Sequence, residues 1–491
     1  MPVPSMEDAS KGILPTAQPP HVRWMSLYGE ELCRLGTHIK SQPRKKGSKP
    51  TTITYAHDRS KPPVTILGSY NDMHGQGFIR ESIKGRPPAP GCVGLQNLGN
   101  SCFMNSIIQC MNQIDFMTRY FLKGDYKKEI NPTNPLGKEG MVASAYALLL
   151  ADIWSNDYSA LAPRTLKKTI GLLAPQFNNI HQHDSEEFYG YFLDGIHEDL
   201  NRVYDKPYVE TLECLGMPDD KAALESWRRH LLRNDSIVVD HFKGMFRSHV
   251  TCTNCGRESV RFDVFQTLNL PLVFPKDNGP VLLEDCLEQL SMGEQLDENN
   301  KYYCSGCKQH VCALRVMSLW SVPDVLVLQL KRFAYKDCGI SGGHVRTKLE
   351  DLVTFPVHAL DLRDHVLGQY DPDAPPVYKL FGVSEHTGTA TDSGHYTATV
   401  LNSINKEWYR FNDSHVGAST GEASVTGGAY LLFYQRKKGS SRWGGMERIM
   451  EKAKIDPHGA LESDVDGFTH VTKKKKKKRG GGDGGRRRFA C

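Results

Sequence analysis

The chain has 491 residues, a hydrophobic fraction of 39% and a formal net charge of +5. This length exceeds what a single core usually serves, so one large domain with subdomains, or two to three domains, is expected. The sequence has no run of 18 or more apolar residues and no secretory signal at its start, which excludes a membrane-spanning segment and favours an intracellular protein. Residues 473–488 hold ten basic residues and one acidic residue, so the remainder of the chain has a net charge of −4. The charge of this remainder therefore gives no support to a nucleic-acid-binding fold.

Composition divides the chain into three parts. Residues 1–88 are rich in Pro and Lys and are predicted to form a flexible N-terminal arm, whereas residues 89–437 have a globular composition. Residues 438–491 are predicted to form a flexible basic tail, with a short helical pattern from Met446 to Lys454. The 13 cysteines of such a chain are expected to be free thiols or metal ligands rather than disulfides.

A polar, glycine-containing loop at residues 94–101 leads into Cys102 and an apolar pattern of helical spacing. Asn100 and Ser101 are good N-cap residues, so Cys102 is expected in the first turn of a helix. The helix dipole and the unpaired N–H groups of that turn favour the thiolate, which is the nucleophilic form. The alternative for Cys102 is a buried structural cysteine.

Helical patterns dominate the first third of the chain, and strand patterns dominate the rest. The segments from Met141 to Trp154 and from Asp184 onward are predicted helices. From about His241 the apolar period changes to that of strands, including a continuous apolar run from Val325 to Leu330 and a last strand from Tyr430 to Tyr434. The fold class is therefore α+β, with helices first and then a largely antiparallel sheet.

Hydrolysis by a cysteine needs a base near the thiol and a group that orients the base. The best candidate base is His395, and Gly394 beside it allows a substrate backbone to come close. Either Asn412 or Asp413, at the end of the next strand, can accept a hydrogen bond from the imidazole and set its tautomer. The order Cys, His, Asn/Asp matches the papain-type arrangement. Taken alone, a histidine in such a place is more often structural.

An oxyanion hole needs hydrogen-bond donors aimed at the developing negative charge. Backbone N–H groups at the start of the helix are one source. Asn97, five residues before Cys102, can supply a side-chain amide from the loop. The alternative role for Asn97 is that of a turn residue.

Two CxxC pairs point to a metal site, namely Cys252 with Cys255 and Cys304 with Cys307. Four thiolates at this spacing can bind one tetrahedral Zn²⁺. The zinc is expected to be structural, because four thiolates leave no open coordination position. The alternative is four unrelated cysteines or a redox pair.

Together these motifs resemble those of the ubiquitin-specific proteases, which are papain-like deubiquitinases. The similarity begins with the stretch from Gly94 to Ser106 and covers roughly residues 91–436. It continues through residues 184–188, the two CxxC pairs, residues 328–333 and the segment from Tyr378 to Tyr434.

The resemblance implies a papain-like cysteine protease fold with thumb, palm and zinc-tipped fingers, the fingers spanning about residues 241–320. It also implies roles for the residues identified above. Cys102 would be the nucleophile, His395 the general base and then acid, and Asn97 the oxyanion donor. The third catalytic residue would be Asn412, with Asp413 as the alternative.

Three further residues are implied to bind the C-terminal tail of ubiquitin. Asp184 would pair with the basic residues of that tail and could also cap its own helix. Gly394 would line the narrow channel above the thiol, and Tyr396 follows in the same motif.

The function implied is thiol-dependent hydrolysis of isopeptide, ester or peptide bonds at the C-terminal glycine of ubiquitin, through a Cys102 thioester. The alternatives are a catalytically weak ubiquitin-binding adaptor and a protease for another ubiquitin-like modifier. The implied partners are ubiquitin and ubiquitinated proteins. The basic tail is either a solvated charge run or a contact for nucleic acid or an anionic surface, and it favours location in the nucleus, including the nucleolus, or in the cytoplasm.

Overall fold

The computed structural model of the chain describes residues 81–458, apart from 211, 213, 215, 277–278, 299, 338–343 and 391–392. The side chains of residues 334–337, 344–347 and 389–390 are also outside this description. Most of the predicted N-terminal arm and the basic run of the tail lie outside the described residues. Within the described part, no helix combines the length and the hydropathy needed to cross a membrane.

Helices dominate the described chain up to residue 242. The helices are α1 Cys102–Asn112, α2 Asp115–Lys123, α3 Tyr126–Glu129, α4 Met141–Ile153, α5 Arg164–Leu173, α6 Ser185–Asp199, α7 Asp219–Leu231, α8 Ile237–Phe242, α9 Leu283–Ser291 and α10 Met446–Lys452.

Strands dominate the chain from residue 244. The strands are β1 Ile83–Lys84, β2 Gly94–Leu95, β3 Tyr158–Leu161, β4 Gly244–Cys252, β5 Glu258–Phe265, β6 Thr267–Leu270, β7 Val281–Leu282, β8 Glu294–Leu296, β9 Tyr302–Cys304, β10 Gln309–Val311, β11 Ala313–Ser321, β12 Val325–Leu330, β13 Phe333–Asp337, β14 His344–Lys348, β15 Val353–Thr354, β16 Leu360–Asp361, β17 Val377–Ala390, β18 Ser393–Leu401, β19 Trp408–Asn412, β20 His415–Ser419 and β21 Ala429–Arg436.

The helical part is held together by side chains that cap helices across long sequence distances. The carboxylate of Asp199, at the end of α6, is fully buried and accepts hydrogen bonds from the backbone N–H groups of Lys138 and Val142 at 2.7 and 2.8 Å. It thereby caps the start of α4, where the N-cap residue Gly140 has no side chain to do so. Asp184 caps α6 itself and accepts from the N–H of Glu186 at 2.8 Å.

A central sheet forms the palm, in the order β20-β19-β18-β17-β21-β12-β6, with β16 paired to β17. Its pairs are antiparallel except for β12 with β6. Strand β12 matches the predicted strand from Val325 to Leu330, and its buried residues face a core on each side. Val327 packs with the helices on one face, and Leu328 packs with α9 on the other.

A second sheet, β5-β4-β11-β8, and the β9–β10 hairpin form the fingers. Long antiparallel pairing joins β4 to both β5 and β11, with Cys252 opposite Ala313 at the far end. Thumb, palm and fingers are all present, so the α+β, papain-like fold class is confirmed.

The folded part extends beyond the predicted limits of residues 89–437. Upstream, Ile83 of β1 pairs with Ala160 of β3. Downstream, Trp443, Met446 and Met450 are buried in one cluster with Trp227 of α7. The tail boundary at residue 438 is therefore wrong. The amphipathic spacing of residues 446–450 serves to cover α7, a contact that local composition does not show.

We predict that Trp443→Ala lowers the free energy of unfolding by about 3 kcal/mol, because it leaves a large cavity against Trp227. Lys452→Ala, in the exposed part of the same segment, should change it little. Urea unfolding followed by circular dichroism measures both variants. An unchanged midpoint for Trp443→Ala would show that the segment does not contribute to the fold.

Candidate active site

Strand β2 brings the loop before Cys102 against the palm. The N–H of Leu95 donates to the carbonyl of Asp413 at 2.8 Å, and a Cβ built at Gly94 would lie 2.2 Å from the carbonyl oxygen of Ser414. Only glycine allows this approach of two backbones. The loop is then tightened by Asn97, whose Oδ1 accepts from the N–H groups of Gly99 and Ser101 at 3.1 and 3.0 Å.

Cys102 is the first residue of α1, as the sequence predicts, and its side chain is buried at 1% exposure. Ser101 occupies the N-cap position, but its side chain makes no capping hydrogen bond and accepts from the N–H of Leu98 instead. The positive end of the helix therefore stays available to a negative charge on the sulfur.

His395, on β18, reaches both the thiol and the end of β19. Its Nε2 lies 2.7 Å from Oδ1 of Asn412. The pKa of His395 is raised from 6.5 to about 9, chiefly because its ring hydrogen bonds the Cys102 side chain and then Asn412, while burial acts in the opposite direction. Since Nε2 donates to Asn412, the other ring nitrogen is left for the sulfur.

Asp413 lies beside this pair but bonds elsewhere. Its Oδ2 is 4.0 Å from Nε2 of His395 and accepts from Nδ2 of Asn97 at 3.0 Å. Its Oδ1 accepts from Nδ2 of Asn105 at 2.7 Å. Of the two alternatives for the residue that orients the histidine, Asn412 makes the hydrogen bond. Asp413 holds the two asparagines on the cysteine side.

Asn105 is a site residue that sequence analysis missed. It lies three residues after Cys102, so helical spacing places it near the same face of α1. Its amide also donates to the carbonyl of Leu95 at 3.2 Å, which ties α1 to β2. A polar residue at this spacing within an apolar helix was the available signal.

The residues expected to bind a substrate tail lie where α6 faces the palm. Asp184 accepts from the hydroxyl of Tyr430, which lies 2.9 Å from Oδ1 and 2.7 Å from Oδ2 of the carboxylate. Tyr430 is a palm residue that the sequence identified only as part of a strand. Gln182 donates to the carbonyl of Gly394 at 2.5 Å and so links the two sides. Tyr396 is buried, with its ring centroid 4.6 Å from that of His386.

Gly394 is required by the protein's own packing. Its φ is +147°, and a Cβ at this position would lie 2.4 Å from the carbonyl oxygen of Thr387 and 2.6 Å from Nε2 of His386. A side chain at residue 394 would therefore displace the strand next to His395.

The four cysteines of the CxxC pairs meet at the tip of the fingers. Their sulfur atoms all lie within 4.8 Å of one another, with Cys252 to Cys307 at 3.8 Å and Cys255 to Cys304 at 3.6 Å. Tetrahedral Zn²⁺ with Zn–S bonds of about 2.3 Å sets sulfur atoms roughly 3.8 Å apart. The donor set and its spacing therefore fit a metal of this kind.

Comparison with known proteins agrees with this geometry. The family model described as Ubiquitin carboxyl-terminal hydrolase matches residues 93–434. Ubiquitin carboxyl-terminal hydrolase 2 of Bos taurus is 36% identical over 424 residues, which are 83% of this chain and 68% of that protein. The Rattus norvegicus protein of the same description is 35% identical over 415 residues, 81% of this chain. The chain spans 65% of that relative, slightly less than two thirds of its length.

Solved structures share the fold. The SAGA Ubp8/Sgf11/Sus1/Sgf73 DUB module bound to ubiquitin aldehyde aligns with a TM-score of 0.53 at 24% identity, covering 73% of this chain and 72% of that chain. A yeast SAGA DUBm with mutant Sgf73 aligns with a TM-score of 0.52 at 27% identity, covering 73% and 71%. The family model matches residues 93–434, which are most of this chain. The chain therefore belongs to the ubiquitin carboxyl-terminal hydrolases, the family of the ubiquitin-specific proteases.

Proposed function

We propose that this chain is a thiol-dependent deubiquitinase, which hydrolyses the bond between the C-terminal glycine of ubiquitin and a protein amine. The observation that carries the proposal is the convergence of Cys102, His395 and Asn412 from a helix and two strands: Nε2 of His395 lies 2.7 Å from Oδ1 of Asn412, and the Cys102 side chain is the largest cause of the raised pKa of His395. The raised pKa keeps His395 protonated at neutral pH, and Cys102 is the first residue of α1.

The reaction proceeds through an acyl-enzyme. The Cys102 sulfur attacks the glycine carbonyl carbon, and the oxygen becomes negative in the tetrahedral intermediate. Asn97 donates one N–H to Asp413, and an amide NH₂ has a second N–H for this oxygen. His395 then gives its proton to the leaving amine, which leaves ubiquitin as a thioester on Cys102. Water, deprotonated by His395, attacks the thioester and releases the ubiquitin carboxylate and the thiol.

Asp184 and Gly394 are proposed to bind the ubiquitin tail. The tail ends in basic residues followed by two glycines, and Asp184 offers a carboxylate at the side of the site. Tyr396, two residues after Gly394 on β18, supports this region by packing its ring against that of His386 on β17. The metal of the fingers is proposed to be Zn²⁺ with a structural role, held by Cys252, Cys255, Cys304 and Cys307.

We predict that a ubiquitin probe with a C-terminal electrophile labels the wild-type protein and leaves Cys102→Ala unlabelled, because Cys102 supplies the nucleophile. Cys312→Ala is the matched control and should label like the wild type, since Cys312 contacts Glu298 in the fingers. Labelling that survives Cys102→Ala would contradict the mechanism.

Two alternatives remain, a ubiquitin-binding adaptor and a protease for another ubiquitin-like modifier. Turnover of a fluorogenic ubiquitin amide, compared with turnover of the corresponding amides of other ubiquitin-like modifiers, distinguishes them from a deubiquitinase. Binding without turnover would identify an adaptor, and preference for another modifier would reassign the substrate.

We predict that the pKa of His395 falls in both Cys102→Ala and Asn412→Ala, and falls less in Asp413→Asn. The hydrogen bonds of the His395 ring to Cys102 and Asn412 raise this pKa more than the distant charge of Asp413 does. Because the folded-state pKa is raised, the stability due to this group is complete below pH 6.5 and is lost as the pH rises through about 9.

NMR titration of the His395 ring measures the three shifts. A larger fall in Asp413→Asn than in Asn412→Ala would assign the orienting role to Asp413.

We predict that the purified protein holds one equivalent of zinc and that Cys252→Ser lowers both its thermal stability and its affinity for ubiquitin, because the fingers lose their cross-link. Alkylation of Cys102 by iodoacetamide should be unchanged, since the cluster lies in a separate sheet. Cys312→Ser is the control, a nearby cysteine outside the cluster. Metal analysis that finds no zinc in reducing buffer would overturn the assignment.

A further inference from the structure

A buried lysine lies under the loop that precedes Cys102. Lys167, on α5, is only 8% exposed. Its Nζ donates to two backbone carbonyls of the loop, those of Leu98 at 3.3 Å and Gly99 at 3.4 Å. No carboxylate among the described residues pairs with Lys167, and burial lowers the pKa of its amine.

This arrangement is costly for the fold. An ammonium group taken out of water without a counter-ion loses hydration that two carbonyl oxygens replace only in part. An apolar side chain of the same length would fill the space on α5 without this cost. The position of Lys167 therefore indicates that its charge acts on the loop and not on the packing of the helix.

The effect of Lys167 on the loop follows from the planarity of the peptide unit. The Leu98 carbonyl and the Gly99 N–H belong to one trans peptide and point in opposite directions. The carbonyl is held by Lys167, and the N–H donates to Oδ1 of Asn97 at 3.1 Å. A cation on the carbonyl fixes the orientation of this peptide and strengthens its N–H as a donor.

The same peptide thereby fixes Asn97. Because the side-chain amide of Asn97 is planar, an anchored Oδ1 sets the direction of Nδ2. Nδ2 donates to Asp413 at 3.0 Å and is the proposed oxyanion donor. A chain of contacts thus runs from Lys167 through the Leu98–Gly99 peptide to Asn97.

We infer that Lys167 is a positioning residue for the oxyanion hole, which acts through Asn97 and contacts neither the thiol nor the substrate. The inference rests on the proposed function, because the oxyanion forms only in that reaction. It assigns a catalytic consequence to a buried charge that the mechanism itself does not use.

The test is a double-mutant cycle between Lys167 and Asn97, with turnover of a fluorogenic ubiquitin amide as the assay. Lys167→Met removes the charge and keeps the length, and should lower kcat about tenfold while KM changes less than about twofold, since a lost oxyanion donor acts on the transition state. In the Asn97→Ala background, the same change should lower kcat less than about twofold, because the residue through which it acts is gone.

Two further measurements separate positioning from loss of structure. Lys167→Arg keeps the charge and should retain more of the wild-type kcat than Lys167→Met. The rate of Cys102 alkylation by iodoacetamide should be the same in wild type and Lys167→Met, because this reaction has no oxyanion. Where Lys167→Met does not yield folded protein, Lys167→Gln replaces it in the same cycle.

The outcomes are distinct. An unchanged kcat in Lys167→Met, or an equal loss of kcat in the wild-type and Asn97→Ala backgrounds, overturns the inference and leaves the proposed function intact. A wild-type protein that does not turn over the ubiquitin amide overturns the proposed function instead.

Discussion

The carboxylate of Asp413 joins the two parts of the molecule that have to meet for chemistry at Cys102. It accepts from Asn97 in the loop and from Asn105 on α1, while its own residue lies at the end of the palm strand β19. The preceding residue, Asn412, bonds His395. Asp413 directly follows the strand with a φ of +49°, so its backbone leaves the extended conformation of Asn412 and the two adjacent side chains serve the cysteine and the histidine separately. The two residues therefore have different roles: Asn412 orients the histidine, and Asp413 holds the loop and helix that carry Cys102.

Local patterns were enough to predict the elements that carry the site. Helix α1 begins at Cys102 and β19 ends at Asn412, because caps, apolar periods and turn residues act within a few positions of one another. The contacts that hold these elements were not predictable in the same way. Asp199 caps a helix more than 50 residues upstream, and Trp443 covers Trp227 from the far end of the domain. Nothing in the local sequence identifies such partners, since only the tertiary fold brings them together.

The fingers show how a sheet can build a metal site from distant sequence. The two CxxC pairs are about 48 residues apart, which is wide for a compact zinc site. Pairing of β4 with β11 places Cys252 opposite Ala313, which follows the β9–β10 hairpin, and Cys304 is the last residue of β9 in that hairpin. The ladder of backbone hydrogen bonds thus brings together the two pairs, and the turn after each strand supplies the second thiol. The sequence spacing predicted the ligands, but the sheet determines how they reach one another.

The two sides of the site that meet at Gly394 differ in how firmly they are held. Cys102 is almost fully buried, and Gln182 bridges to the carbonyl of Gly394, the residue before His395. On the palm side, the carbonyl of Thr387 and the ring of His386 leave no free space at Gly394, so this strand resists displacement. On the other side, the side chain of Gln182 is held, among the described residues, by one hydrogen bond of about 1 kcal/mol. Displacing Gln182 from the Gly394 carbonyl therefore requires no change in the sheet, and the ubiquitin tail proposed to bind here would replace one hydrogen bond with its own backbone contacts.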